Sequence, residues 1–103
     1  MVYFISESGT KNVKIGYTRD DIFGRLQTLQ TGNCRKLTLI GLIRDGTMKD
    51  ETLLHKRFKN SWINLEWFEV KEGSDLLTYI NSISDSHVDV VNDKVQTYKK
   101  MKM

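Results

Sequence analysis

The sequence predicts an α+β fold, with a small antiparallel sheet of about three strands, a possible short fourth strand, and flanking helices. Three observations carry this. Two β-favouring runs, Val2-Phe4-Ile5 and Val13-Ile15-Tyr17, lie on either side of the turn-rich SESGTKN, and strands this close pair antiparallel. A third apolar run, 37–43, follows a stretch of helical spacing. Later segments place apolar residues three and four apart, as amphipathic helices do. A sheet with helices on its faces buries both kinds of apolar surface in one core.

The elements follow in order. After the hairpin, Thr18 suits a helix N-cap, with Asp20 and Asp21 in the first turn near the positive end of the helix dipole. Ile22, Leu26 and Leu29 keep helical spacing, and Gly32-Asn33 suits the end, which predicts a helix over 19–31. Leu37 to Ile43 reads as a largely buried strand, and Asp45-Gly46 as a turn. Thr47 with Asp50 forms a variant capping box ahead of a helix over about 48–60. The aromatic stretch around Trp62–Phe68 leads into a short strand near 66–70. Leu76, Leu77, Ile80 and Ile83 mark a last helix over about 73–83, with Ser74 or Gly73 at its start. From 84 to 103 the chain is polar, with Val88, Val91, Val95 and Tyr98 near helical spacing. Valine is a poor helix former, so this tail reads as a marginal helix, a partner-binding segment or a mobile end. The division is therefore one domain over 1–83 and a tail over 84–103.

Composition narrows the class. A chain of 103 residues with 39% hydrophobic and 28% charged residues suits one soluble globular domain. No apolar run approaches the ~20 residues that span a bilayer, and the first residues lack the pattern of a signal peptide. Cys34 is the only cysteine. It excludes an internal disulfide and a cysteine-only metal site, and predicts an intracellular setting, cytoplasmic or nuclear. Residues 1–64 hold 11 Lys/Arg against 6 Asp/Glu, a balance of +5, whereas residues 65–103 hold 5 against 7, a balance of −2. The first two-thirds can thus face a polyanion, although an ordinary solvated surface accounts for the same numbers.

The second long helix carries the sharpest local signal. Glu51, Leu54, His55 and Phe58 fall at i, i+3, i+4 and i+7, so a carboxylate and an imidazole share the apolar face. Such a pair can bind a metal and move a proton, or simply rim the core. Arg25 flanks the stripe of the first helix, where a guanidinium can address a phosphate or lie along the core edge. On the hairpin, strand alternation puts Tyr3 and Ile5 opposite Val2 and Phe4, and Lys14 and Gly16 opposite Ile15 and Tyr17. A phenol or an amine beside a metal can serve as a base, while packing and solvation are the plainer roles. No P-loop, dinucleotide fingerprint or paired Cys/His zinc spacing is present.

Taken in order, these motifs resemble the GIY-YIG nuclease superfamily. VYF at 2–4 resembles the first signature, with Tyr3 at its tyrosine, and KIG at 14–16 resembles the second. The Arg25 helix follows, and Glu51 stands on a later helix where the family carries its metal-ligand glutamate. KIGYT at 14–18, RLQTLQTGN at 25–33, ETLLHKRF at 51–58 and EWF at 66–68 are similar to the small phage and large-DNA-virus branch. The resemblance spans about residues 1–70. There are departures. Lys14 stands at the second tyrosine, so Lys14 or Tyr17 must fill that role. Leu29 replaces the histidine one turn after the arginine, which leaves His55 to supply the imidazole. The late asparagine is either Asn60 or Asn64.

The resemblance implies hydrolysis of DNA phosphodiesters with one Mg²⁺ or Mn²⁺ held by Glu51. It implies Arg25 on the phosphate and Tyr3 as base, helped by Lys14 or His55, with positive charge bringing the phenol below its usual pKa of about 10. Tyr17, Lys11, Arg35 and Lys36 are the expected nucleic-acid contacts. The alternatives are a catalytically inactive nucleic-acid-binding module of the same fold, or a protein-interaction domain using the tail and the Trp62–Phe68 region. The proposed chemistry depends on Tyr3, Arg25, Glu51 and His55 meeting at one pocket on the sheet.

Overall fold

The computed structural model describes residues 1–83 and 85–102, with side chains through Val95. The elements are β1 (Val2–Glu7), β2 (Asn12–Tyr17), α1 (Ile22–Thr31), β3 (Leu37–Ile43), α2 (Met48–Arg57), a single 3₁₀ turn (Lys59–Ser61), β4 (Trp62–Asn64), β5 (Trp67–Glu69), α3 (Asp75–Ser82) and α4 (His87–Lys102). The α+β class holds, but the sheet has five strands in the order β3-β1-β2-β5-β4, antiparallel throughout. The fifth strand arises because the Trp62–Phe68 stretch folds as a hairpin. Leu65, at φ +52°, makes the turn.

β1 lies between β3 and β2 in the sheet, and Val2 through Ile5 are all buried. Alternation splits them between two cores. Val2 and Phe4 join Val13, Ile15, Phe68, Leu54, Phe58, Leu76 and Ile80, so α2 and α3 cover this face. Tyr3 and Ile5 join Ile22, Leu26, Leu37, Leu39, Leu42, Val91 and Val95, so α1 and α4 cover the other.

Two helix starts illustrate how capping sets boundaries. Thr47 Oγ1 accepts the Asp50 N–H at 3.2 Å while Asp50 Oδ2 accepts the Thr47 N–H at 2.8 Å, which completes the expected box. Thr18, by contrast, does not cap α1. Its N–H bonds Met1 O at 2.9 Å to extend the β1–β2 pairing, and its hydroxyl accepts the Asp20 N–H at 3.1 Å. The helix therefore starts later, at Asp21, whose carboxylate takes the Gly24 N–H at 3.3 Å. Aspartate is the stronger N-cap of the two.

The segment read as a polar tail forms α4 and packs on β3 and α1. Burial of Val91 and Val95 offsets their weak helix propensity. Asn92 adds a two-point clamp on β3, accepting from Leu39 N–H at 3.1 Å and donating to Leu39 O at 2.8 Å. Tyr98, part of the same expected stripe, lies outside the residues whose side chains are described.

Candidate functional site at the β2 edge

β5 pairs with β2 only from Asn12 to Lys14, and its last bond to β2 runs from Ile15 N–H to Glu66 O at 3.0 Å. Beyond that point β5 no longer covers the β2 edge. His55 of α2 closes part of it, its Nε2 lying 2.9 Å from Ile15 O. A carbonyl can only accept, so Nε2 carries a hydrogen, and Nδ1 is the nitrogen left to hold a lone pair. Glu51, one turn earlier, places Oε1 3.7 Å from the same Nε2. The His55 ring also stands edge-on to Phe68, with centroids 5.0 Å apart, which fixes its orientation.

Tyr3 approaches this edge from the opposite face. Its ring lies flat across Gly16, where a Cβ would overlap both the ring and the hydroxyl. This explains the glycine of KIG: only a residue without a side chain lets the phenol reach across β2. Tyr3 is 2% exposed, and among the described residues its hydroxyl has no hydrogen-bond partner. Burial and the negative charge of Glu66, with a smaller push from Glu51, outweigh the nearby Arg25 and drive the phenol up to about 12. The expected lowering by positive charge is thus reversed. One reason is that Lys14 is spent on Glu66, with Nζ 3.2 Å from Oε2.

Arg25 sits half-buried on α1, close enough to Tyr3 to act on it electrostatically. Among the described residues its guanidinium makes no ion pair or hydrogen bond. Glu51 has its carboxyl raised above the usual range, first by burial and then by Glu66, with His55 and Lys14 acting the other way. Tyr3, Lys14, Arg25, Glu51 and His55 therefore form one interacting group around the β2 edge, rather than a pocket on the flat of the sheet. Glu51 and His55 also line a cleft of about 370 Å³ with Thr52, Lys56, Lys59 and Trp62.

The other expected residues lie elsewhere. Lys11, Arg35 and Lys36 are exposed at the far end of the sheet, around the β1–β2 turn, where Arg35 Nη1 donates to Ser8 O at 3.3 Å. Tyr17 packs half-buried against the α2–α3 core, on the face away from Tyr3. Leu29 lines a smaller recess with Lys14 and Trp67. Neither Asn60 nor Asn64 lines the Glu51–His55 cleft. The residue missing from the expected set is Glu66. Its signal was its place in EWF, just before a strand that pairs with the one carrying Lys14.

The donor set also bears on a metal. Glu51 is a half-buried carboxylate with a second carboxylate, Glu66, acting on it, and hard oxygen donors suit Mg²⁺ or Mn²⁺. Among the described residues no group of three His, Cys, Asp or Glu is placed to hold an ion, so the protein would offer Glu51 alone. Magnesium sites commonly use one or two carboxylates and fill the remaining positions with water and substrate oxygen.

Among the described residues this α+β module keeps an unpaired arginine and an unpartnered phenol beside a carboxylate, which suits a nuclease-like or nucleic-acid-binding protein. The chain belongs to the T5orf172 domain family, a nuclease-related family whose model matches residues 1–93. No curated protein matches the chain, and no solved structure does. No described helix is long and apolar enough to cross a membrane.

Proposed function

We propose that the chain is a divalent-metal-dependent DNA endonuclease of the GIY-YIG type, from the branch whose second signature reads KIG. The observation that carries this reading is the unspent Arg25 guanidinium beside the unpartnered Tyr3 hydroxyl and the Glu51 carboxylate. A half-buried guanidinium without a protein partner keeps its donors free, and a phosphate would satisfy them with charge-assisted bonds. Arg25 binds the scissile phosphate and neutralises charge that grows in the transition state. Tyr3 keeps its proton and donates it in a hydrogen bond to a phosphate oxygen, since a phenol pushed to about 12 is a poor base at neutral pH. His55 accepts a proton from the attacking water at Nδ1, while Nε2–H stays anchored on Ile15 O. Glu51 would hold Mg²⁺ or Mn²⁺, which when bound supplies Lewis-acid polarisation of the phosphate. Lys11, Arg35 and Lys36 grip flanking phosphates at the far end of the sheet.

The test is nicking of supercoiled plasmid with Mn²⁺ or Mg²⁺ and with EDTA, beside duplex binding at two salt concentrations. Metal-dependent nicking that Glu51→Ala abolishes, with binding largely kept, supports the reading. Nicking unchanged in Glu51→Ala removes Glu51 as the metal ligand. The Lys14–Glu66 ion pair favours a second reading, in which the site binds DNA without cutting it. Salt-dependent binding without nicking in any metal would select that one.

A further inference from the structure

The β4–β5 hairpin exposes more apolar surface than its fold requires. Trp62 is 55% exposed, and Ile63 and Leu65 are also open. Trp62 is nevertheless not a loose side chain. Its Nε1–H donates to Leu65 O at 2.8 Å, and Leu65 holds the left-handed conformation that puts this carbonyl in reach. The polar edge of the indole is thus satisfied within the hairpin, and what remains open is flat ring surface. A left-handed leucine is strained, so the hairpin holds its tryptophan in place at a cost.

The surroundings of that ring indicate its occupant. Trp62 lines the same 370 Å³ cleft as Glu51 and His55, a size within the usual range of about 300–1,000 Å³ for ligand pockets. Lys56 and Lys59 line it too, and among the described residues neither makes an ion pair. Two unpaired ammonium groups flanking an orientation-locked indole suit a ligand that joins flat rings to phosphates. We infer that Trp62 is a stacking platform for an unpaired nucleobase of the nucleic-acid strand, with Lys56 and Lys59 on its flanking phosphates. A base inside a duplex has both faces covered by neighbours, so only an unstacked nucleotide can use the platform. The cleft is continuous with Glu51 and His55, so that nucleotide lies next to the scissile phosphate. The chain then favours single-stranded, gapped or branched substrates over intact duplex. This inference rests on the nuclease-like reading of the adjoining site.

The test is fluorescence anisotropy of the full chain in EDTA with three labelled probes: an oligothymidylate, a duplex of equal length, and an abasic oligomer with the same phosphates. Trp62→Ala should bind the oligothymidylate about tenfold more weakly, about 1.4 kcal/mol, while its affinity for the duplex and the abasic oligomer is unchanged. Trp62→Phe keeps a ring and should stay within about threefold of wild type. Matching thermal melts of the variants guard against a folding artefact. The inference is overturned if Trp62→Ala binds oligothymidylate as wild type does, or loses affinity equally for all three probes. It is also overturned if the variant instead abolishes self-association in sedimentation, which would make the hairpin an interface between copies. In each of these cases wild-type nicking and salt-dependent duplex binding still decide the nuclease-like reading separately. Failure of the wild type to bind any probe overturns the inference, and the absence of nicking and of duplex binding with Mn²⁺ or Mg²⁺ as well overturns both.

Discussion

Arg44 and Arg25 lie on different parts of this chain and are treated differently by the fold. Arg44, just past β3, donates through Nε and Nη2 to both carboxylate oxygens of Asp85, at 2.8 and 2.6 Å. Asp85 also accepts the His87 N–H at 2.8 Å at the start of α4, so the pair fastens that helix to the sheet. Among the described residues Arg25 receives no carboxylate, although Glu51 and Glu66 both act on the tyrosine beside it. A fold that needed Arg25 for stability would have paired it as it pairs Arg44. On the proposed reading, the arginine the fold pairs is scaffold and the one it leaves unpaired serves a ligand.

The contrast can be tested by substitution, first at the unpaired arginine. Arg25→Ala should slow plasmid nicking by about 10²–10³ and change stability by no more than about 0.5 kcal/mol. A large loss of stability with normal nicking would reverse the two roles. Gly16→Ala should come next. The added methyl must displace the Tyr3 ring, costing about 1–3 kcal/mol as overpacking does. Thermal melts would register it as a fall of roughly 4–8 °C per kcal/mol. Nicking should fall with it, whereas an unchanged melt would mean that Tyr3 moves aside freely.

Glu51→Gln should separate stability from activity. A carboxyl whose folded pKa lies above its unfolded value disfavours the ionised native state, so its destabilising effect grows as pH rises above the usual carboxylate range. The variant should lose nicking yet melt slightly higher than wild type at neutral pH, with the gain fading in acid. A lower melt at neutral pH would mean that the carboxylate supports the fold. The smallest effect is expected at the paired arginine. Asp85 is held at about 2, chiefly by its hydrogen bond to Arg44, so its contribution is present above the usual carboxylate range and lost as pH falls toward 2. Asp85→Asn should melt slightly lower at neutral pH and match wild type near pH 2, with nicking unaffected.

Legibility from sequence followed the range of each interaction. The capping box at Thr47–Asp50 and the face shared by Glu51, Leu54, His55 and Phe58 are local, and both formed as read. The hairpin alternation correctly put Tyr3 opposite Phe4. Non-local partners were harder to see. Nothing near Lys14 announces that Glu66 will neutralise it, because a second hairpin must first pair with β2. The rise of the Tyr3 phenol has the same origin, since burial under α1 and a carboxylate far along the chain decide it. Valine's low helix propensity argued against α4, until two of its valines found a sheet face to cover.

The clamp of Asn92 on Leu39 has a consequence for handling the protein. β3 is an outer strand, and the N–H and C=O of Leu39 that point away from β1 would otherwise offer a template to a strand from another molecule. A side-chain amide supplies both bonds and blocks that template. A chain cut after Ile83 would lose this guard along with the valines over Tyr3 and Ile5, and should precipitate or pair edge to edge where the full chain stays dispersed.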